Sequence, residues 1–143
     1  MDEVVTVGDR LFANLPYPRL FAALLTSHSF VAFEVQGIRV YSNIRGEEDN
    51  IERLLADQGL TRPLVEAGFL PFGRPATGNY DRICFDMRGT KNALDAPVVC
   101  MEHETVLSQN RIPRPKKLAA GLIELLVGPG SGPRWPDEKK PLC

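Results

Sequence analysis

Glu102-His103-Glu104 is the stretch whose residue types come closest to a catalytic group. A zinc peptidase helix carries two histidines four residues apart, with a glutamate between them as general base. Here the chain has two histidines in all, and the other is His28. A three-ligand metal centre would therefore need carboxylates to complete it. The plainer reading is that His103 ends a strand, and that its ring bonds loop backbone to orient the exit toward Ser108–Pro115. Cys84 or Cys100 with His103 would be the other conceivable pair, a thiol beside its base. Both cysteines lie among apolar, β-branched neighbours, where cysteine behaves as a small hydrophobe. The expectation is a chain with no catalytic residue, no metal set and no cofactor.

Three polar groupings remain, and binding rather than bond-making suits them. Gly78-Asn79-Tyr80-Asp81 opens a strand. Asn and Asp side chains there can bond nearby backbone and stiffen the turn, which could form one wall of a partner cleft. Glu47, Glu48, Asp49 and Glu52 lead into a helix, where the macrodipole favours negative charge. They are either ordinary helix electrostatics or the contact for a basic partner, whose approach they would steer. Arg111, Arg114, Lys116 and Lys117 form a basic counterpart, expected at the start of the last helix. The partner-binding candidates are thus Glu47, Glu48, Asp49, Glu52, Tyr80 and Asp81. Tyr17, Tyr41 and Tyr80 are candidates for an exposed aromatic patch.

The elements that must position these groups centre on Phe69–Glu104. Three short strands are expected there. Residues 81–87 alternate, Ile83, Phe85 and Met87 against Arg82, Cys84 and Asp86, which marks a strand with one buried face. Val98–Met101 is apolar on both faces, as a central strand is. Upstream, Leu15-Pro16-Tyr17-Pro18 introduces a helix buried through Phe21, Leu24, Leu25 and His28, which Ser27-His28-Ser29 ends. Phe30–Val35 and Ile38–Tyr41 read as a hairpin about Gln36-Gly37. Ile51, Leu54 and Leu55 stripe a second helix, with Gly59 as its C-cap. Leu60–Gly68 reads as a connector holding at most one more helical turn. Ser108–Pro115 reads as a loop, and Lys116–Val127 as a closing helix buried through Leu118, Leu122, Leu125 and Leu126.

The chain has 143 residues, enough for one domain with a real core. With 43% hydrophobic and 24% charged residues it is globular in composition. A net charge of −1 argues against a broad nucleic-acid-binding face. No apolar run reaches about 18 residues, so no membrane span is expected. The start, Met1-Asp2-Glu3-Val4-Val5, lacks the layout of a signal peptide. With three cysteines, reduced thiols and a cytoplasmic location are expected. The organisation expected is a lead-in over residues 1–14, a domain over 15–127 and a proline-rich, charged tail over 128–143, in which Trp135 is the residue able to dock.

Leu15-Pro16, Leu70-Pro71-Phe72, Gly78-Asn79, Asp81, Ile83-Cys84-Phe85-Asp86, Pro97-Val98-Val99 and His103-Glu104 together resemble the SUKH superfamily. That superfamily holds the fungal Smi/Knr-type cell-wall regulators and many bacterial immunity proteins. The resemblance implies an α+β fold, with a mixed, mostly antiparallel sheet flanked by helices. It implies a non-enzymatic immunity protein that binds and neutralises a cognate polymorphic toxin, commonly a nuclease, without touching nucleic acid or membrane. The same residues would serve a regulatory scaffold domain acting on a cellular protein. A small hydrolase using His103 with Glu102 or Glu104 is the remaining reading. An open sheet edge also offers a surface on which a second copy can pair, so a homodimer is among the partners considered.

Overall fold

Why these strands pair in chain order is visible in their turns. In the computed structural model, residues 17–44, 46–78, 80–88 and 93–127 are described, apart from the side chain of Gln58. The expected lead-in (1–14) and tail (128–143, with Trp135) lie outside the described residues. Strands β1 (Phe33–Val35) and β2 (Ile38–Val40) form the expected hairpin. Gln36 and Gly37 both have positive φ, +52° and +78°, the turn whose twist matches that of paired strands. Strands β3 (Phe69–Pro75), β4 (Arg82–Asp86), β5 (Val98–Met101) and β6 (Lys116–Ala119) follow, and the sheet order is β1-β2-β3-β4-β5-β6. The α+β class is observed. All named strand pairs are antiparallel; the parallel element is an isolated bridge between Ser42 and Asn50.

Helices lie on both faces of this sheet. On one face α1 (Arg19–Ser27), α2 (Ile51–Leu55) and α5 (Leu122–Val127) bring Phe21, Leu25, Ile51, Leu54, Leu122 and Leu125 against Ile38, Val40, Leu70, Phe72, Ile83, Phe85 and Val98. At its centre Phe72 and Phe85 stack with centroids 4.3 Å apart, and Phe21 closes on both at 5.3 and 5.1 Å. The Tyr17 hydroxyl donates to the Pro71 carbonyl at 2.6 Å, beside the Phe21 ring. On the other face α3 (Gln58–Glu66) and α4 (His103–Gln109) bring Leu60, Leu64 and Val106 against Phe69, Cys84, Val99 and Met101. A Cβ on Gly73 would collide with the Arg39 carbonyl, so the close approach of β2 and β3 needs glycine there.

Several expectations are corrected by this second helical layer. β4 is not half-solvated: Arg82 and Cys84 are buried with Ile83 and Phe85, because α3 and α4 cover the face read as polar. Gly59 is not a cap but lies inside α3, which replaces the expected connector and carries Pro63 in its interior. The carbonyl that Pro63 cannot bond belongs to Gly59, an exposed residue, so water can take it. His103, expected to end a strand, instead opens α4, which Asn110 ends in the left-handed region, so the loop expected over Ser108–Pro115 begins two residues later. The expected closing helix is split: Lys116–Ala119 extends as β6 along β5, and only Leu122–Val127 is helical. The four-residue spacing of Leu118 and Leu122 suits a helix, but the open edge of β5 supplies backbone partners that a helix would forgo. Asp95 then starts α5, accepting from the Leu122 N–H at 2.8 Å.

His28 is also exposed, not part of the buried face of α1. The end of that helix is held by Asn43, which is buried. Its amide donates to the carbonyls of Leu25 and His28 at 2.9 and 2.6 Å, and its oxygen accepts from the Phe30 N–H at 3.0 Å. Truncating the stacked ring, Phe85→Ala, should cost about 3–5 kcal/mol of stability, as large core cavities do. Urea unfolding of the variant measures this. A loss under about 1 kcal/mol would show that the three-ring cluster is not the centre of the core.

Candidate functional site

The β4–β5 register places Arg82 opposite Met101. Asp81, one residue before β4, therefore meets the start of α4, one residue past the N-cap Glu102. One carboxylate oxygen of Asp81 accepts from the His103 backbone N–H at 3.0 Å and lies 2.6 Å from the His103 ring Nδ1. A carboxylate can only accept, so Nδ1 carries the proton and Nε2 is the outer nitrogen. The Asp81 side chain is 8% exposed and that of His103 22%. This ring does not bond loop backbone, as expected from the sequence, and His103 opens a helix rather than ending a strand. The cause is long-range: Asp81 satisfies a helix-terminal N–H that would otherwise be orphaned.

Next to this pair stands Tyr80, 62% exposed, with its ring edge-on to the His103 ring at 5.9 Å. Its backbone is held too. Arg82 Nη1 donates to the Tyr80 carbonyl at 2.6 Å, and Nη2 donates to the Asp57 carboxylate at 2.9 Å. The Arg82 side chain is only 6% exposed. Burial lowers its pKa, and Asp57 opposes that by favouring the charged form. One buried guanidinium thus joins the turn before β4 to the start of α3.

The partner-binding candidates divide. Tyr80 is presented to solvent, and Glu48 and Glu52 are exposed, with Glu47 half-buried. Asp81 is buried on His103, so it is a positioning group and not a contact. Asp49 is engaged as well: Arg39 Nε donates to it at 2.6 Å, and Arg74 lies 3.9 Å away. Tyr17 and Tyr41 are buried, which removes them from any exposed patch. Arg111, Arg114, Lys116 and Lys117 are exposed, but the two lysines open the edge strand β6 and the two arginines precede it, so they do not stand at a helix start. Charge on an edge discourages pairing with another sheet.

Arg82 and Asp57 are the residues that sequence reasoning missed. Arg82 falls on what looks like a solvent-facing strand position, and Asp57 falls in an apparent connector. The signal was the arginine itself, placed among Ile83, Cys84 and Phe85, where a charge needs a partner.

The arrangement can orient an imidazole and present an aromatic ring. Among the described residues, no hydrogen bond joins the His103 ring to a Ser, Thr or Cys side chain, and no group of three His, Cys, Asp or Glu residues could hold a metal. Burial pushes the Cys84 thiol far above its ordinary range. The expectation of reduced thiols holds for Cys84, which is free, and fails for Cys100, which is disulfide-bonded. Among the described residues no helix is long and apolar enough to cross a membrane. Comparison with protein-family models, curated proteins and solved structures finds no match.

Two measurements check this geometry. Asp81→Ala should destabilise the fold by about 1–3 kcal/mol, the cost of unpairing a buried polar group, and should erase the slowly exchanging His103 Nδ1 proton in NMR spectra. A surviving Nδ1 proton would contradict the pairing. Cys84, raised by burial, should resist iodoacetamide at pH 8 in the native protein and react only in denaturant. Rapid native alkylation at Cys84 would contradict its enclosure between the layers.

Proposed function

We propose that this chain is a non-enzymatic binding module of the SUKH immunity type, which neutralises a cognate toxin by covering its active surface. The observation that carries the reading is Tyr80. It is a large exposed aromatic side chain whose carbonyl is fixed by Arg82 and whose ring rests on His103. Aromatic residues of this kind dominate binding energy in protein interfaces. Fixing one beforehand lowers the ordering cost of association. An exposed carboxylate, Asp57, shares Arg82 with Tyr80, and Glu48 and Glu52 are exposed elsewhere on the chain. Such a surface complements a basic one, and a nuclease that grips phosphates offers a basic cleft.

A regulatory scaffold domain would use the same surface on a cellular protein. A second reading has its own observation, the Asp81–His103 pair, which resembles the oriented base of a hydrolase with Nε2 left for a water. It lacks a hydrogen-bonded nucleophile among the described residues.

Co-expression with any toxin-type reading frame found to adjoin this gene is the deciding test. Growth arrest should be relieved by the native chain. Tyr80→Ala should weaken the complex at least tenfold, about 1.4 kcal/mol, while the exposed Arg62→Ala should not. Relief that survives Tyr80→Ala with unchanged affinity would remove Tyr80 from the interface. An arrest that the native chain never relieves would end the immunity reading in favour of a cellular partner. A hydrolytic activity abolished by His103→Gln, with the fold intact, would establish the enzyme instead.

A further inference from the structure

We infer that Cys100 and Cys143 form one disulfide, which ties residues 128–142 back to β5 as an oxidation-dependent strap. The chain has three cysteines, Cys84, Cys100 and Cys143. Cys84 is free, and Cys100 is disulfide-bonded. Within one chain, that leaves Cys143 as the partner of Cys100.

The sheet gives a second reason why Cys84 is not that partner. Cys84 stands opposite Val99, and Cys100 stands opposite Ile83. Successive residues of a strand face opposite sides of the sheet. Cys84 accordingly packs in the smaller core, and Cys100 packs in the larger one. A disulfide needs its two β-carbons about 3.5–4.5 Å apart. Sulfurs directed to opposite sides of a sheet do not meet.

The course of the chain suits the bond. Leu122 and Leu125 of α5 share the larger core with Cys100, so the chain leaves α5 on the face that Cys100 occupies. The segment 128–142 has fifteen residues. Extended, they reach about 50 Å, against roughly 24 Å across six strands. The loop from Cys100 to Cys143 encloses α4, β6 and α5. β6 has four residues, lies at the sheet edge and pairs with β5 alone, and α5 has six. Closing that loop constrains the unfolded chain, and so favours the folded arrangement of these short elements.

The chemistry balances with small thiols. Closure joins the two sulfurs, releases two protons and passes two electrons to an oxidant such as oxidised glutathione. In the reverse direction, one thiolate of a dithiol reductant attacks one sulfur, and the other sulfur leaves as a thiolate. The second thiol of the reductant then completes the reductant's own disulfide. The segment after α5 is thereby released from β5. None of this rests on Tyr80 or on the partner it would meet.

The test uses the full chain equilibrated with oxidised glutathione. Free thiols are alkylated in acidic denaturant before a tryptic digest without reductant. Peptide 92–111 should appear joined to peptide 140–143, and the alkyl label should sit on Cys84. Label on Cys100, or Cys84 joined to either of the others, would overturn the pairing. So would a covalent dimer on a non-reducing gel, which would place the bond between copies. A thermal comparison follows the strap itself. Cys143→Ser should melt roughly 5–15 °C below the native chain under oxidised glutathione, and the gap should close in dithiothreitol. Amide exchange in β6 and α5 should quicken in the reduced protein while β4 stays protected. Equal melting temperatures under oxidising conditions, or a gap that persists in dithiothreitol, would overturn the strap.

Discussion

β4 is covered on both faces, and that constraint runs through the rest of the molecule. Ile83 and Phe85 enter the larger core, with α1, α2 and α5 above them. Cys84 enters the smaller one, beneath α3 and α4. A strand placed this way has no wet side on which to leave a charge. Arg82 must therefore find its partners inside the protein, and it draws Asp57 and the Tyr80 carbonyl to it. The position of Tyr80 follows from the desolvation of an arginine two residues away.

The same logic accounts for how the polar groups that look chemical are paired. Asp81 is buried beside β4, and the His103 N–H and ring meet its charge. Asn43 works similarly on the opposite side, joining the end of α1 to the approach to β1 through three hydrogen bonds. These side chains tie together segments distant in sequence. Among the described residues, the surface they leave includes the Tyr80 ring, carboxylates such as Glu48 and Glu52, and the basic residues before and in β6. That is the material of recognition, and it supports a binding role without identifying the partner.

Legibility in the sequence followed the range of the interaction. The β1–β2 hairpin and α1 were readable because the turn residues and the apolar spacing are local. So was α2, with Ile51, Leu54 and Leu55 on its inner face. The three central strands were placed within a residue or two. The misreadings share a cause. α3, α4 and the β6–α5 break all depend on partners from elsewhere: the smaller core for the two helices, the free edge of β5 for Lys116–Ala119. At the surface Tyr80, Glu48 and Glu52 were legible as exposed polar or aromatic types. Asp49 and Asp81 were not, because nothing beside them in the chain announces Arg39 or His103.

From residue order alone came the α+β class, the central strands, the apolar faces of α1 and α2, and the resemblance to the SUKH superfamily. Periodicity and turn chemistry are properties of neighbours, so a linear reading can reach them. The tertiary structure decided which charges are shielded and which are presented. It buried Arg82, paired Asp81 with His103, enclosed Tyr41 and left Tyr80 in solvent. Burial of a charge depends on what the other face of the sheet is packed against, and that is a property of the whole fold.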